Sequence, residues 1–158
     1  MIFVTLGSQK FQFNRLLKKV DELIGQGEIT EEVFAQIGAS DYEPKNYEYK
    51  AFLDRKTFEE IMSRCDMVIT HGGTGAIIGA VKQGKKVVAI PRLKRFNEHV
   101  DDHQLQLITQ FKELNLICDC LDVECLGSAI NGAKSLVYNE YESNTLCFLE
   151  SLKEYINS

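Results

Sequence analysis

Short apolar runs alternate along this chain with segments whose apolar residues recur every three or four positions. Residues 2–6, 33–37, 67–70, 86–90 and 116–118 are brief and rich in β-branched or aliphatic side chains, and glycine or proline closes most of them. Such runs read as buried strands. Residues 47–53 alternate polar and apolar side chains only in part, and predict a further extended piece. Between these runs the spacing changes. Phe13, Leu16, Leu17, Val20, Leu23 and Ile24 share one helical face, which Gly25-Gln26-Gly27 ends. Thr57-Phe58-Glu59-Glu60 fits a capping box, with Thr57 as N-cap and Glu60 reaching back to it, and predicts a helix over about 58–65. A small-residue run over 76–83, a helix carrying Leu105, Leu107, Ile108 and Phe111, and helices over about 123–131 and 145–156 complete the pattern.

Strands alternating with helices at this spacing specify an α/β fold: a Rossmann-like parallel sheet with helices on both faces. Ligands of such sheets sit at the carboxyl ends of the strands. That edge carries Gly7-Ser8-Gln9, Gly38-Ala39-Ser40, the run His71 to Gly75, and the polar stretch Pro91 to Gln104. Most of the chain's chemistry therefore converges on one crevice.

Composition narrows the possibilities. With 158 residues, 44% of them hydrophobic and only two prolines, the chain is expected to fold as a single domain over 1–158 without disulfide or metal staples. A net charge of −5 argues against nucleic acid as a partner, because that role needs a basic face. Five cysteines, an odd number without framework spacing, read as thiols of a cytoplasmic protein. No leader pattern precedes the first strand, and no window reaches the roughly 20 apolar residues of a membrane span, so membrane contact is expected to be peripheral or supplied by a partner.

Residues 67–70 followed by His71-Gly72-Gly73-Thr74-Gly75 predict a strand, a tight loop and a helix N-terminus. Free N–H groups and the Thr74 hydroxyl at such a terminus suit an anion, most often phosphate; the alternative is a turn that only connects strand to helix. The loop lacks the lysine of a P-loop, and neither glycine cluster completes the dinucleotide-binding fingerprint. His99 and His103 stand four residues apart, but Val100 occupies the place where a zinc protease needs glutamate. Cys118, Cys120 and Cys125 lack paired ligand spacing, so no metal site is expected. Arg92, Lys94 and Arg95 form a local basic cluster, either a solvated loop or a surface for phosphate.

Taken together, Val4-Thr5-Leu6-Gly7, Thr70-His71-Gly72-Gly73-Thr74-Gly75, Gly84-Lys85-Lys86, Pro91-Arg92, Glu98-His99 and Asp102-His103-Gln104 resemble the C-terminal, nucleotide-sugar-binding half of glycosyltransferase family 28. Within it the likeness is to short bacterial capsule and exopolysaccharide transferase subunits, and to the separate catalytic subunit of the eukaryotic two-chain UDP-GlcNAc transferase of dolichol-linked oligosaccharide synthesis. The resemblance implies one half of a GT-B enzyme that holds a UDP-sugar with no metal and no other cofactor. Gly7, Ser8, Gly72, Gly73, Thr74 and Gly75 would then meet the diphosphate, with His71 orienting the loop or touching phosphate. Asp102, His103 and Gln104 would face sugar hydroxyls, and backbone groups at Phe52 and Leu53 would hold uracil. Several members grip the ribose with a glutamate where this chain has Gly79, which leaves another arrangement or Glu98.

The implied reaction is inverting transfer of a hexose to a lipid-diphosphate-linked saccharide in capsule or exopolysaccharide synthesis, with His99 or His103 as general base. A membrane-anchored subunit would supply the acceptor site at the inner face of the plasma membrane, with the helix at 145–156 either docking on it or covering its own sheet. The alternative is a non-catalytic nucleotide-sugar-binding or activating subunit of a partner glycosyltransferase.

Overall fold

A computed structural model describes residues 1–7 and 10–139. Ser8 and the helix expected at 145–156 lie outside the described residues. In chain order the elements are β1 (Ile2–Thr5), α1 (Asn14–Gly25), β2 (Val33–Gln36), β3 (Glu48–Lys50), α2 (Arg55–Arg64), β4 (Met67–Thr70), α3 (Thr74–Lys82), β5 (Lys86–Ala89), α4 (His103–Glu113), β6 (Cys118–Asp119) and α5 (Leu126–Ser135). All ladders are parallel and the strand order is β3-β2-β1-β4-β5-β6. The order reverses between β1 and β4, and this switch point is where such sheets open a binding crevice.

Alternation along the strands divides the core into two layers. Val4, Ile69 and Val88 pack with Leu16, Leu17 and Val20 of α1 and Leu126 and Ile130 of α5. On the opposite face Phe3, Val68 and Val87 meet Ile61 of α2, Ile77 of α3 and Phe111 of α4. Helices thus cover both faces, as the pattern predicts. The cysteines at 65, 118, 120 and 125 are free thiols.

Several boundaries differ from the sequence reading. β3 is only the three residues Glu48–Lys50 of the extended piece expected over 47–53, α3 begins at Thr74 rather than 76, and β1, β2 and β5 each end one residue early. The N-cap of α2 is Asp54, whose carboxylate accepts the Thr57 N–H at 3.0 Å, so the helix starts earlier and Thr57 lies inside its first turn. An ionised carboxylate facing a helix N-terminus is a better cap than a hydroxyl in the next turn. The last strand is displaced to Cys118–Asp119, while Leu116 and Ile117 bury their side chains outside the ladder. The helix expected from residue 123 begins as a single 3-10 turn, Val123–Cys125, before α5.

The long connection between β2 and β3 is pinned to α1 by Asn14, whose Oδ1 accepts the Tyr42 N–H at 3.1 Å, and above all by Asp21. Asp21 of α1 accepts the Tyr42 hydroxyl at 2.6 Å and the N–H groups of Lys45 and Asn46 at 2.9 and 2.8 Å. Hydrogen bonds to a charged, 6% exposed acceptor are the strong kind. Asp21→Ala is expected to cost about 3 kcal/mol in urea unfolding, with the loop between β2 and β3 becoming the first site of proteolysis; an unchanged midpoint would contradict this.

Candidate functional site

The carboxyl ends of β1, β4 and β5 are held together by buried polar side chains. Thr70 Oγ1 donates to the Thr5 carbonyl at 2.8 Å, joining the ends of β4 and β1. Arg92, just past β5, is only 1% exposed. Its Nη2 donates to the Leu6 carbonyl at 2.6 Å and its Nη1 to the Phe11 carbonyl at 3.0 Å, and the guanidinium lies over the Phe13 ring. Burial draws its pKa down to about 10, partly opposed by Glu98, so it stays charged at neutral pH. Arg92 therefore does not belong with Lys94 and Arg95 as a surface cation. It braces the loops after β1 and β5 from inside.

Glu98 is likewise internal, 1% exposed, with Oε2 2.6 Å from Arg15 Nε and Oε1 accepting the Leu93 N–H at 3.0 Å. Both oxygens are engaged within the protein, so this carboxylate is not placed to meet a ribose. Gln104, near the start of α4, is 6% exposed. Its Oε1 accepts two backbone N–H groups, from Gly72 at 3.1 Å and Arg92 at 3.0 Å, and its Nε2 lies 3.2 Å from His71 Nδ1. The two incoming N–H groups settle which end of the amide is oxygen. Nε2 must therefore donate to His71, which places the imidazole proton on Nε2. Gln104 sits beneath the glycine loop as its clamp rather than beside a sugar.

His71 is 4% exposed, and burial, with Arg92 nearby, pushes its pKa down to about 3. It is neutral at physiological pH and orients the loop. This explains the neighbouring glycines: a Cβ at Gly73 would lie 2.3 Å from His71 Cε1, and one at Gly72 would lie 2.6 Å from the Gln104 Cβ. Gly7, at φ +73°, also borders this ring, since a Cβ there would lie 2.8 Å from His71 Nε2. Gly75 differs, since a Cβ there would meet nothing. Only this last glycine leaves the helix end open to an incoming group.

α3 begins at Thr74, with Gly73 as N-cap and no side-chain cap. The N–H groups of its first turn have no intrahelical acceptor, and the macrodipole makes this end partly positive. Beside it a cleft of about 540 Å³ runs between α2 and α3, lined by Thr5, Gly7, Leu53, Phe58, Gly75 and Gly79 among others. Leu53 lines this cleft, whereas Phe52 is 56% exposed. The two histidines converge on Asp101: His99 Nδ1 lies 3.2 Å from Oδ1 and His103 Nδ1 3.5 Å from Oδ2. His99 packs on Phe11, while the His103 side chain is half exposed at the start of α4. Asp102 is exposed, its Oδ1 accepting the Lys94 N–H at 2.9 Å. Among the described residues no cluster of histidine, cysteine and carboxylate side chains could hold a metal ion.

The profile of the glycosyltransferase family 28 C-terminal domain matches residues 1–155. The chain belongs to this family. It is 28% identical over 149 residues to human UDP-N-acetylglucosamine transferase subunit ALG13, an alignment covering 81% of this chain and 12% of that protein. The chain thus spans about an eighth of the human relative's length. The solution structure of ALG13 superposes with a TM-score of 0.64 at 19% identity, covering 99% of this chain and 96% of that one. The crystal structure of the glycotransferase of kitacinnamycin gives a TM-score of 0.61 at 16% identity, over 98% of this chain and 38% of the other. The fold of this family 28 domain is that of the Rossmann-like C-terminal halves of GT-B glycosyltransferases.

The motif residues at 71–75 and 98–104 were visible in the sequence, but their division of labour was not. The Arg15–Glu98 pair and the bonds from Gly72 and Arg92 to Gln104 depend on contacts between segments that no spacing announces, whereas Asp101 stands between His99 and His103 in the sequence itself. Gln104→Leu leaves two buried N–H groups unpaired and is expected to cost about 2–4 kcal/mol in urea unfolding, with Gln104→Glu recovering part of the loss. His71 gives a pH signature. Its folded pKa of about 3 lies below the ordinary 6.5, so its contribution is complete above pH 6.5 and is lost as pH falls toward 3. His71→Asn should flatten that acid limb by about 1.4 kcal/mol per pH unit; parallel curves would show that His71 titrates normally.

Proposed function

We propose that this chain is the donor-binding catalytic subunit of a two-chain inverting UDP-sugar glycosyltransferase, acting with a membrane-anchored acceptor-binding subunit at the cytoplasmic face of a membrane. The observation that carries this reading is the open end of α3 at the sheet's switch point, facing a cleft of nucleotide size in a family 28 chain. The N–H groups of Thr74, Gly75 and Ala76 and the Thr74 hydroxyl receive the diphosphate, with Gly7 and Ser8 contributing to its binding. Leu53 and the backbone at Phe52 hold the uracil. Asp102 and His103 reach the sugar. The human relative, a UDP-N-acetylglucosamine transferase subunit, supports action in a complex. No metal or other cofactor is required.

The chemistry follows from where charge develops. As the bond from the anomeric carbon to the diphosphate breaks, negative charge grows on the departing oxygen, and the fixed N–H dipoles of α3 meet it without reorganising. The attacking acceptor hydroxyl loses its proton to a general base. Both histidines lie against Asp101, and His103 takes this role better than His99 because its side chain is half exposed while His99 packs on Phe11. Lys94 and Arg95, exposed beside Phe96 and Val100, face the diphosphate of a lipid-linked saccharide. The transferred hexose serves capsule or exopolysaccharide assembly in this reading.

Thr74→Val is expected to weaken UDP binding to the isolated chain by about tenfold or more, with the fold intact; unchanged calorimetric affinity would remove the phosphate assignment. If only the partner binds UDP, the chain is an activating subunit instead. Replacing Lys94 and Arg95 by glutamine should lower transfer by the reconstituted pair while leaving UDP affinity as it was; transfer insensitive to these charges would place the acceptor elsewhere.

A further inference from the structure

The wall of the cleft between α2 and α3 holds a polar group that nothing in the protein satisfies. Gln36, the last residue of β2, is 6% exposed, and its Oε1 is sealed from solvent without a hydrogen-bond partner. Gln36 lies on the sheet face that carries Phe34, two residues earlier, and Thr5, its partner across the ladder. An apolar side chain would fill such a position at no cost, because a buried carboxamide with an unmet acceptor is unfavourable. The opposite wall is open. A Cβ at Gly79 would meet no atom within 4 Å, so space remains between α3 and the end of β2.

Gly79 stands four residues, or about 6 Å, along α3 from Gly75. A ligand whose phosphates rest on the open end of α3 therefore carries its next moiety past Gly79 and toward Gln36. We infer that Gln36 is a specificity-determining residue of the donor site, its carboxamide accepting a hydrogen bond from the nucleoside moiety of the bound diphosphate. The terminal torsion of a glutamine is soft and can turn Oε1 into the cleft without moving the rest of the side chain. The donor is a group that free diphosphate lacks: the imide N3–H of the base or a ribose hydroxyl. This inference rests on the donor-site reading above and adds the group that reads the nucleoside.

Calorimetry on the full chain tests it, using UDP, pyrophosphate, 3-methyl-UDP and 2′,3′-dideoxy-UDP against wild type and Gln36→Met, with Gln36→Leu as a second apolar variant. Apo unfolding temperatures are measured alongside. The variants should keep or raise the apo melting temperature, because an unmet acceptor is removed. They should bind UDP about tenfold more weakly and pyrophosphate as wild type does. The analogue lacking the partner of Gln36 should bind wild type and variant equally: 3-methyl-UDP if the imide is read, dideoxy-UDP if the ribose is. UDP affinity unchanged in both variants, an equal loss for pyrophosphate, or a clear fall in apo melting temperature would overturn the inference. Wild type failing to bind UDP would instead overturn the donor-site reading itself.

Discussion

Two backbone N–H groups, one from Gly72 and one from Arg92, point into the interior, and a single carboxamide receives both. Buried N–H groups without acceptors are costly, so Gln104 is not a neutral filler. It joins the loop after β4 to the loop after β5 and, by the direction its amide must take, sets the tautomer of His71. The ring of His71 then occupies the space between Gly7 and Gly73, which no larger residue could share. From the other side Arg92 gathers the Leu6 and Phe11 carbonyls, and Glu98 ties Arg15 to the Leu93 N–H. Three strand ends are thus fixed relative to one another before any ligand arrives.

This arrangement determines what kind of anion site the loop can be. His71 is neutral and internal, and the charge of Arg92 is spent on carbonyls and lies close to Glu98. What the open end of α3 offers is a set of oriented dipoles and a hydroxyl. Such a site is preorganised, and its donors keep their positions whether the anion is a bound diphosphate or a departing one. The net charge of −5 is then no obstacle, since the attraction is local.

Much of this was legible in the order of residues. The alternation of apolar runs and helical faces specified a parallel sheet with two covered faces, and the polar residues at its carboxyl edge specified the crevice. The switch point between β1 and β4 was not legible, because strand order depends on pairings between distant segments. Boundaries shifted where two local signals competed: Asp54 outbid Thr57 as the cap of α2. At the site, residue types were informative and roles were not. Gln104 and Glu98 had the chemistry to face a ligand, and burial turned them inward to satisfy backbone and guanidinium groups. Gly72 and Gly73, expected to make room for a ligand, make room for Gln104 and His71 instead. Gln36 gave no signal, since a glutamine ending a strand has no pattern around it.

The central claim is that a UDP-sugar's diphosphate rests on the open end of α3 above this fixed platform. Amide chemical shifts of the isotopically labelled chain, followed as UDP is added, examine it most directly. The account predicts the largest changes at Thr74, Gly75 and Ala76, with smaller ones at Gly7 and Leu53 and little change at the amino-terminal edge of the sheet around Lys85 and Lys86. Shifts concentrated at that opposite edge, with the amides of α3 unmoved, would contradict it.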